Sequence, residues 1–154
     1  MTTENLKKLI QNIVEQACAL KNKHTEEINA PVNYACIFCH SEEEFKEFKS
    51  LTLNFGTILE ETYSGPLFKI TPLQTVSGKL QILKIRIPDD DHLDLGDADF
   101  TVSDYPSFKK KYTGESGFKL IKRPKMEMIE LVDTKFSTRA YFSNPPLDRH
   151  YNLK

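Results

Sequence analysis

Two thiols and an imidazole stand close together at CIFCH, Cys36 to His40, the spacing at which a haem is attached through two thioether bonds with the histidine as iron ligand. Attachment needs both sulfurs on one side of a turn. Here the string lies in PVNYACIFCH, a run of apolar and β-forming residues after Pro31 that predicts a strand. Strand residues three apart point to opposite faces, so Cys36 and Cys39 diverge and one porphyrin cannot be held by both. Cys18 lies far upstream in a helical pattern, and no second C-x-x-C pair completes a zinc site. The expectation is a pair of strand thiols with no haem, zinc or other cofactor.

Charge placed on strands is the second chemical signal. In QILKIRIP, Lys84 and Arg86 share one face while Leu83, Ile85 and Ile87 take the other. Asp97, Asp99 and Thr101 share a face in GDADFTV, as do Met126, Met128 and Glu130 in MEMIEL. Such faces are either the solvated side of a sheet or the lining of a ligand cleft. In the second case Arg86 and Arg139 converge as fork-shaped donors for a carboxylate or phosphate. Asp97, Asp99 and Glu130 then hold the guanidinium groups or receive a cationic part of the ligand. For Asp97 and Asp99 the blander expectation is that one of them caps a turn beside Gly96. Asp89, Asp90, Asp91 and His92 resemble a metal loop but lack the alternation and closing glutamate of a calcium loop, so a solvated linker is expected. His24, His40, His92 and His150 are scattered, and no nucleophile elbow or glycine-rich phosphate loop occurs.

The composition narrows the partners. A chain of 154 residues with 39% hydrophobic content can bury one core, and a net charge of -1 with interspersed signs leaves no electrostatic footprint for nucleic acid. No segment reads as a membrane span. Three cysteines, an odd count, and an N-terminus without an apolar core or small-residue cleavage pattern point to reduced thiols and a cytoplasmic setting.

The elements that must position these residues follow from periodicity. Leu6, Ile10, Ile13, Val14, Ala17 and Leu20 fall at helical spacing and predict an amphipathic helix over 3–24, capped by Thr3. After the CIFCH strand, Ser41 and Glu44 form a capping box for a second helix that Gly56 stops. TILEETY, PLFKITPLQ and KLQILKIRIP predict three strands in a meander. DADFTVSDY predicts another strand, SDYPSFKKKYTG a short helix with Pro106 in its first turn, and FKLIKR, MEMIELVD and STRAYFS three further strands. Residues 32–88 and 97–143 thus each spell strand, helix, strand, strand, strand. The expected fold is α+β and a single domain over 1–154: two paired βαβββ modules form a curved, mostly antiparallel sheet with helices outside. The helix precedes them and an irregular tail occupies 144–154. The N-terminal helix covers a sheet face by default, with a homodimer contact as the alternative.

Read together, VNYACIFCHSEEEFKEFK, ITPLQ, QILKIRIP and GDADFTV resemble the vicinal oxygen chelate superfamily of glyoxalases, extradiol dioxygenases and bleomycin-resistance proteins. The similarity covers residues 5 to 143 and is nearer to the YecM-like branch, which also begins with a helix. It implies paired βαβββ modules and a divalent metal held on the concave face by His, Gln or Glu from the first and last strands of each module. Those places hold Asn33 or Tyr34, Lys84 or Arg86, Asp97 or Asp99, and Glu130 or Arg139. A protonated amine or guanidinium has no lone pair to give, so the pattern is broken and no metal is expected.

The expected function is therefore recognition of a small polar or anionic metabolite in the concave cleft, by Lys84, Arg86, Asp97, Asp99, Glu130 and Arg139 and without metal. A metal-dependent lyase, isomerase or dioxygenase is the alternative that the resemblance implies. A protein-interaction domain is the third reading.

Overall fold

The computed structural model describes residues 1–152. Helix α1 (Thr3–His24) buries the six predicted apolar positions completely. Burial of that stripe supplies on the order of 10 kcal/mol, comparable to the whole stability of a small domain, so α1 is integral to the core. Its cap is Thr2, whose Oγ accepts from Asn5 N, and not Thr3, which instead accepts a bond from Asn54. Strand β1 (Val32–Phe38) ends one residue before Cys39. In α2 (Glu42–Thr52) Ser41 Oγ accepts from Glu44 N as expected, but the Glu44 carboxylate returns to His40 N, one position beyond the cap.

The meander is β2 (Gly56–Thr62), β3 (Gly65–Thr75) and β4 (Gly78–Arg86). Beyond it lie β5 (Gly96–Phe100), α3 (Tyr105–Tyr112), β6 (Phe118–Lys122), β7 (Glu127–Leu131) and β8 (Thr138–Asn144). Strand β5 stops at Phe100, short of the predicted run to Tyr105, because Asp104 Oδ1 accepts from Ser107 N and caps α3. The tail is not wholly irregular: Leu147–His150 form a short helix, α4, while the last two residues of the expected tail lie outside the described residues.

One eight-stranded sheet runs in the order β2-β3-β4-β1-β5-β8-β7-β6. Among the described residues its ladders are antiparallel except β1–β4 and β5–β8. Each parallel pair closes one βαβββ module, since parallel neighbours need a long crossover, and the β1–β5 ladder joins the two modules. The fold is α+β, with α1, α2 and α3 sharing one core with Ala35, Ile37, Leu83, Ile85, Ala98, Phe100, Ile129, Leu131, Ala140 and Phe142. Strand parity then presents Tyr34, Lys84, Arg86, Asp97, Asp99, Met128, Glu130, Arg139 and Tyr141 to the opposite, concave side. No helix is long and apolar enough to cross a membrane.

Candidate functional site

The concave face holds a cavity of about 560 Å³, within the range of small-molecule sites, and all six sequence-predicted residues line it. Lys84 and Arg86 come from β4, Asp97 and Asp99 from β5, Glu130 from β7 and Arg139 from β8. Register brings them together: Arg139 is opposite Asp97 in the β5–β8 ladder, and Cys36 on β1 is flanked by Lys84 and Asp97.

Neither aspartate caps a turn. Both are strand residues, with side chains 7% and 1% exposed for Asp97 and Asp99 respectively, and Gly96 begins the strand instead of bending the chain. Asp99 Oδ1 accepts from Asn33 Nδ2 at 3.0 Å and from Ser143 N at 3.1 Å, and its Oδ2 accepts from the Ser143 hydroxyl. Burial still outweighs these bonds and pushes its carboxyl up to about 6. Asp97 is driven well above the carboxylate range, first by burial and then by Asp99, against the pull of Arg139, Arg86 and Lys84. Its Oδ1 is buried and has no hydrogen-bond partner.

The cations are held differently. Arg139 donates from Nε and Nη2 to the two oxygens of Asp94 at 2.9 and 3.0 Å and from Nη2 to Asp91 O, and its Nη1 stands 3.8 Å from Glu130. Arg86 donates to Asp89 at 3.3 Å, while its Nε is buried without a partner. Lys84 Nζ donates to Ser64 Oγ at 2.5 Å, and burial lowers the lysine's pKa. Glu130 accepts from the Tyr141 hydroxyl at 2.6 Å. The acidic connection after β4, expected to be a solvated linker, is therefore the counter-charge of both arginines. Its His92 packs edge-on against Phe38 at 4.9 Å and lines the cavity.

The sequence reading names Tyr34 only as one choice for a superfamily metal place and misses Tyr141, which lies on the strand read for Arg139; both line the same floor. Arg123 and Lys125, at the β6–β7 turn, and Pro145, Leu147, His150 and Tyr151, from the tail, form its rim. Only the turn signal around Pro124 and the Pro-Pro pair marked those segments. At CIFCH, Cys39 joins the helix-side core, whereas Cys36 lies among Tyr34, Lys84 and Asp97. Burial raises both thiols, Cys39 to about 12, and all three cysteines are free.

The metal that the resemblance implies does not fit these side chains. At the four superfamily places the concave face offers a tyrosine, a lysine or arginine, a buried aspartate, and a glutamate beside an arginine. Among the described residues, no group of three His, Cys, Asp or Glu side chains is placed to hold a metal ion. Lys84, Arg86 and Arg139 around Asp97 oppose a second positive charge there.

No protein-family model matches the chain, and no curated protein matches it. Among solved structures it is similar to a structural-genomics protein named Protein EC4020, with a TM-score of 0.70 at 12% identity over 91% of this chain and 86% of that one. It is also similar to a glyoxalase/bleomycin resistance protein/dioxygenase superfamily member from Vibrio splendidus 12B01, with a TM-score of 0.47 at 11% identity over 74% of this chain and 97% of that one. At such identities the first likeness is one of fold alone, and the second adds no weight to it.

Proposed function

We propose that the protein binds a small polar or anionic molecule in the concave cleft, without a metal. The observation that carries this is the pair of buried, unpartnered side-chain atoms of opposite kind among the residues lining one cavity, the Arg86 Nε donor on β4 and the Asp97 Oδ1 acceptor on β5, either side of β1. Each such orphan costs about 1–3 kcal/mol, and a ligand carrying both an acceptor and a donor recovers that cost. Arg139 and Glu130 already engage protein partners, which leaves Arg86 and Asp97 as the groups with bonding capacity for a ligand.

The test is a thermal-shift screen of polar and anionic metabolites, with elemental analysis of the same preparation. Stabilisation should grow with ligand concentration, reaching about 2.7 kcal/mol at a hundredfold excess over Kd, and Arg86→Gln should abolish it while the protein stays folded. An equivalent of tightly held metal removes the metal-free reading in favour of the metal-dependent alternative. If no metabolite stabilises the parent and Arg86→Gln unfolds it, the charges are an internal network and the interaction-domain reading replaces binding.

A further inference from the structure

The cleft has a direction, set by sheet register. Its floor arginines hold acidic partners, Arg139 with Asp94 and Arg86 with Asp89, although the Arg86 Nε is left over, and Lys84 bonds a serine hydroxyl. Its two rim cations hold no acidic partner. Arg123 and Lys125 are exposed on the turn between β6 and β7. Arg123 reaches only the carbonyl of Lys122, and Lys125 has no partner among the described residues. Glu127, the carboxylate that follows them, is taken by Tyr105 and Lys109.

From that rim the concave-facing residues change character in order. Met126 comes first, then Met128 opposite Ile121, then Glu130 opposite Tyr141, and one strand further Arg139 opposite Asp97. Met126 to Glu130 covers about 13 Å at the rise of an extended chain. A basic lip is thus separated from a polar floor by an apolar wall. Methionine is suited to such a wall because its flexible thioether follows irregular apolar shapes.

Resting on the cleft-binding reading, we infer that the ligand class is an amphipathic organic anion: its acidic head at Arg123 and Lys125, its apolar body on Ile121, Met126 and Met128, and a hydroxyl or amine reaching inward to Asp97. This moves the anion site from Arg86 and Arg139, which hold acidic partners, to cations that have none. A head in water-accessible surroundings also avoids desolvating an ionised group in the floor.

Isothermal titration with a matched series long enough to join the lip to Asp97 tests it: 12-hydroxydodecanoate, 1,12-dodecanediol, 12-amino-1-dodecanol, dodecanoate and monododecyl phosphate. The hydroxy acid should bind at least tenfold tighter than the diol and the amino alcohol, and dodecanoate should be weaker than the hydroxy acid by about fivefold for want of the hydroxyl. The phosphate arm separates a carboxylate head from a phosphate head, either of which fits the lip. In the double variant Arg123→Gln/Lys125→Gln, both changes lying on exposed side chains, the preference for the acid should vanish while diol binding persists. Equal binding of acid, diol and amino alcohol overturns the inference, as does a preference that survives the double variant. If none of the series binds although other metabolites stabilise the protein, the amphipathic class is wrong and the cleft stands. If nothing binds in either experiment, the cleft reading falls and this inference with it.

Discussion

Asp97 and Asp99 are two residues apart on one strand face, and the protein treats them differently. Asp99 spends both oxygens on Asn33 and Ser143, whereas Asp97 keeps one oxygen unpaired at the cavity. The consequence for Asp99 can be measured as a pH dependence. Its folded pKa, about 6, lies above the ordinary carboxylate value of 3.8, so between those values the native state binds more protons than the unfolded chain. Stability from this group is present in full below the unfolded pKa and is lost as pH rises through the folded one. The loss is on the order of 3 kcal/mol. Asp99→Asn keeps an oxygen for Asn33 and Ser143 N and offers an amide to the serine hydroxyl, so the variant should fold yet lack this contribution. The stability difference between parent and variant, followed by urea denaturation, should shift against the parent by that amount from pH 3 to pH 7. Parallel curves would contradict the assignment.

At the scale of elements, the segment between β4 and β5 is where the sequence reading and the structure part company. Side-chain parity within a strand is local, so the shared faces of Lys84 with Arg86 and Asp97 with Asp99 were legible, as were α1 and both βαβββ patterns. Pairing between Asp94 and Arg139 spans 45 positions, and no periodicity encodes it. A run of acids with no fixed partner looks like a solvated linker. Likewise the cation-bearing turn at Arg123 and Lys125, and the short helix α4, gain their place at the cavity only when the sheet is assembled. The acidic connection can be tested as an anchor. Asp94→Asn, which weakens two charge-assisted bonds to a largely buried Arg139, should cost about 2 kcal/mol in chemical denaturation. Asp90→Asn, on an exposed residue of the same connection, should stay within about 0.5 kcal/mol. Equal effects would return the segment to the status of a linker.

For the molecule as a whole, the cleft exists only because two modules share one sheet, and the shared line is the β1–β5 ladder. Gly96 is at its closest point: it pairs with Ile37, and a Cβ there would lie 2.1 Å from Cys36 O and 3.1 Å from Ile13 Cδ1 of α1. The constraint is steric, since backbone of β1 and a core side chain of α1 fill the space that any other residue needs. Because α1 packs across β1, β5, β8 and β3, it ties both modules to the same event. The modules should therefore unfold together, with slow-exchanging amides of β3 and of β7 reporting one common free energy in native-state hydrogen exchange. Gly96→Ala forces the seam apart and should lower that free energy by about 3 kcal/mol or more, equally at both strands although neither touches Gly96. A drop confined to β5 and its immediate neighbours, with β3 and β7 unchanged, would mean that each module holds its own stability. The cleft would then be an interface between two independent halves, and not the floor of one cooperative sheet.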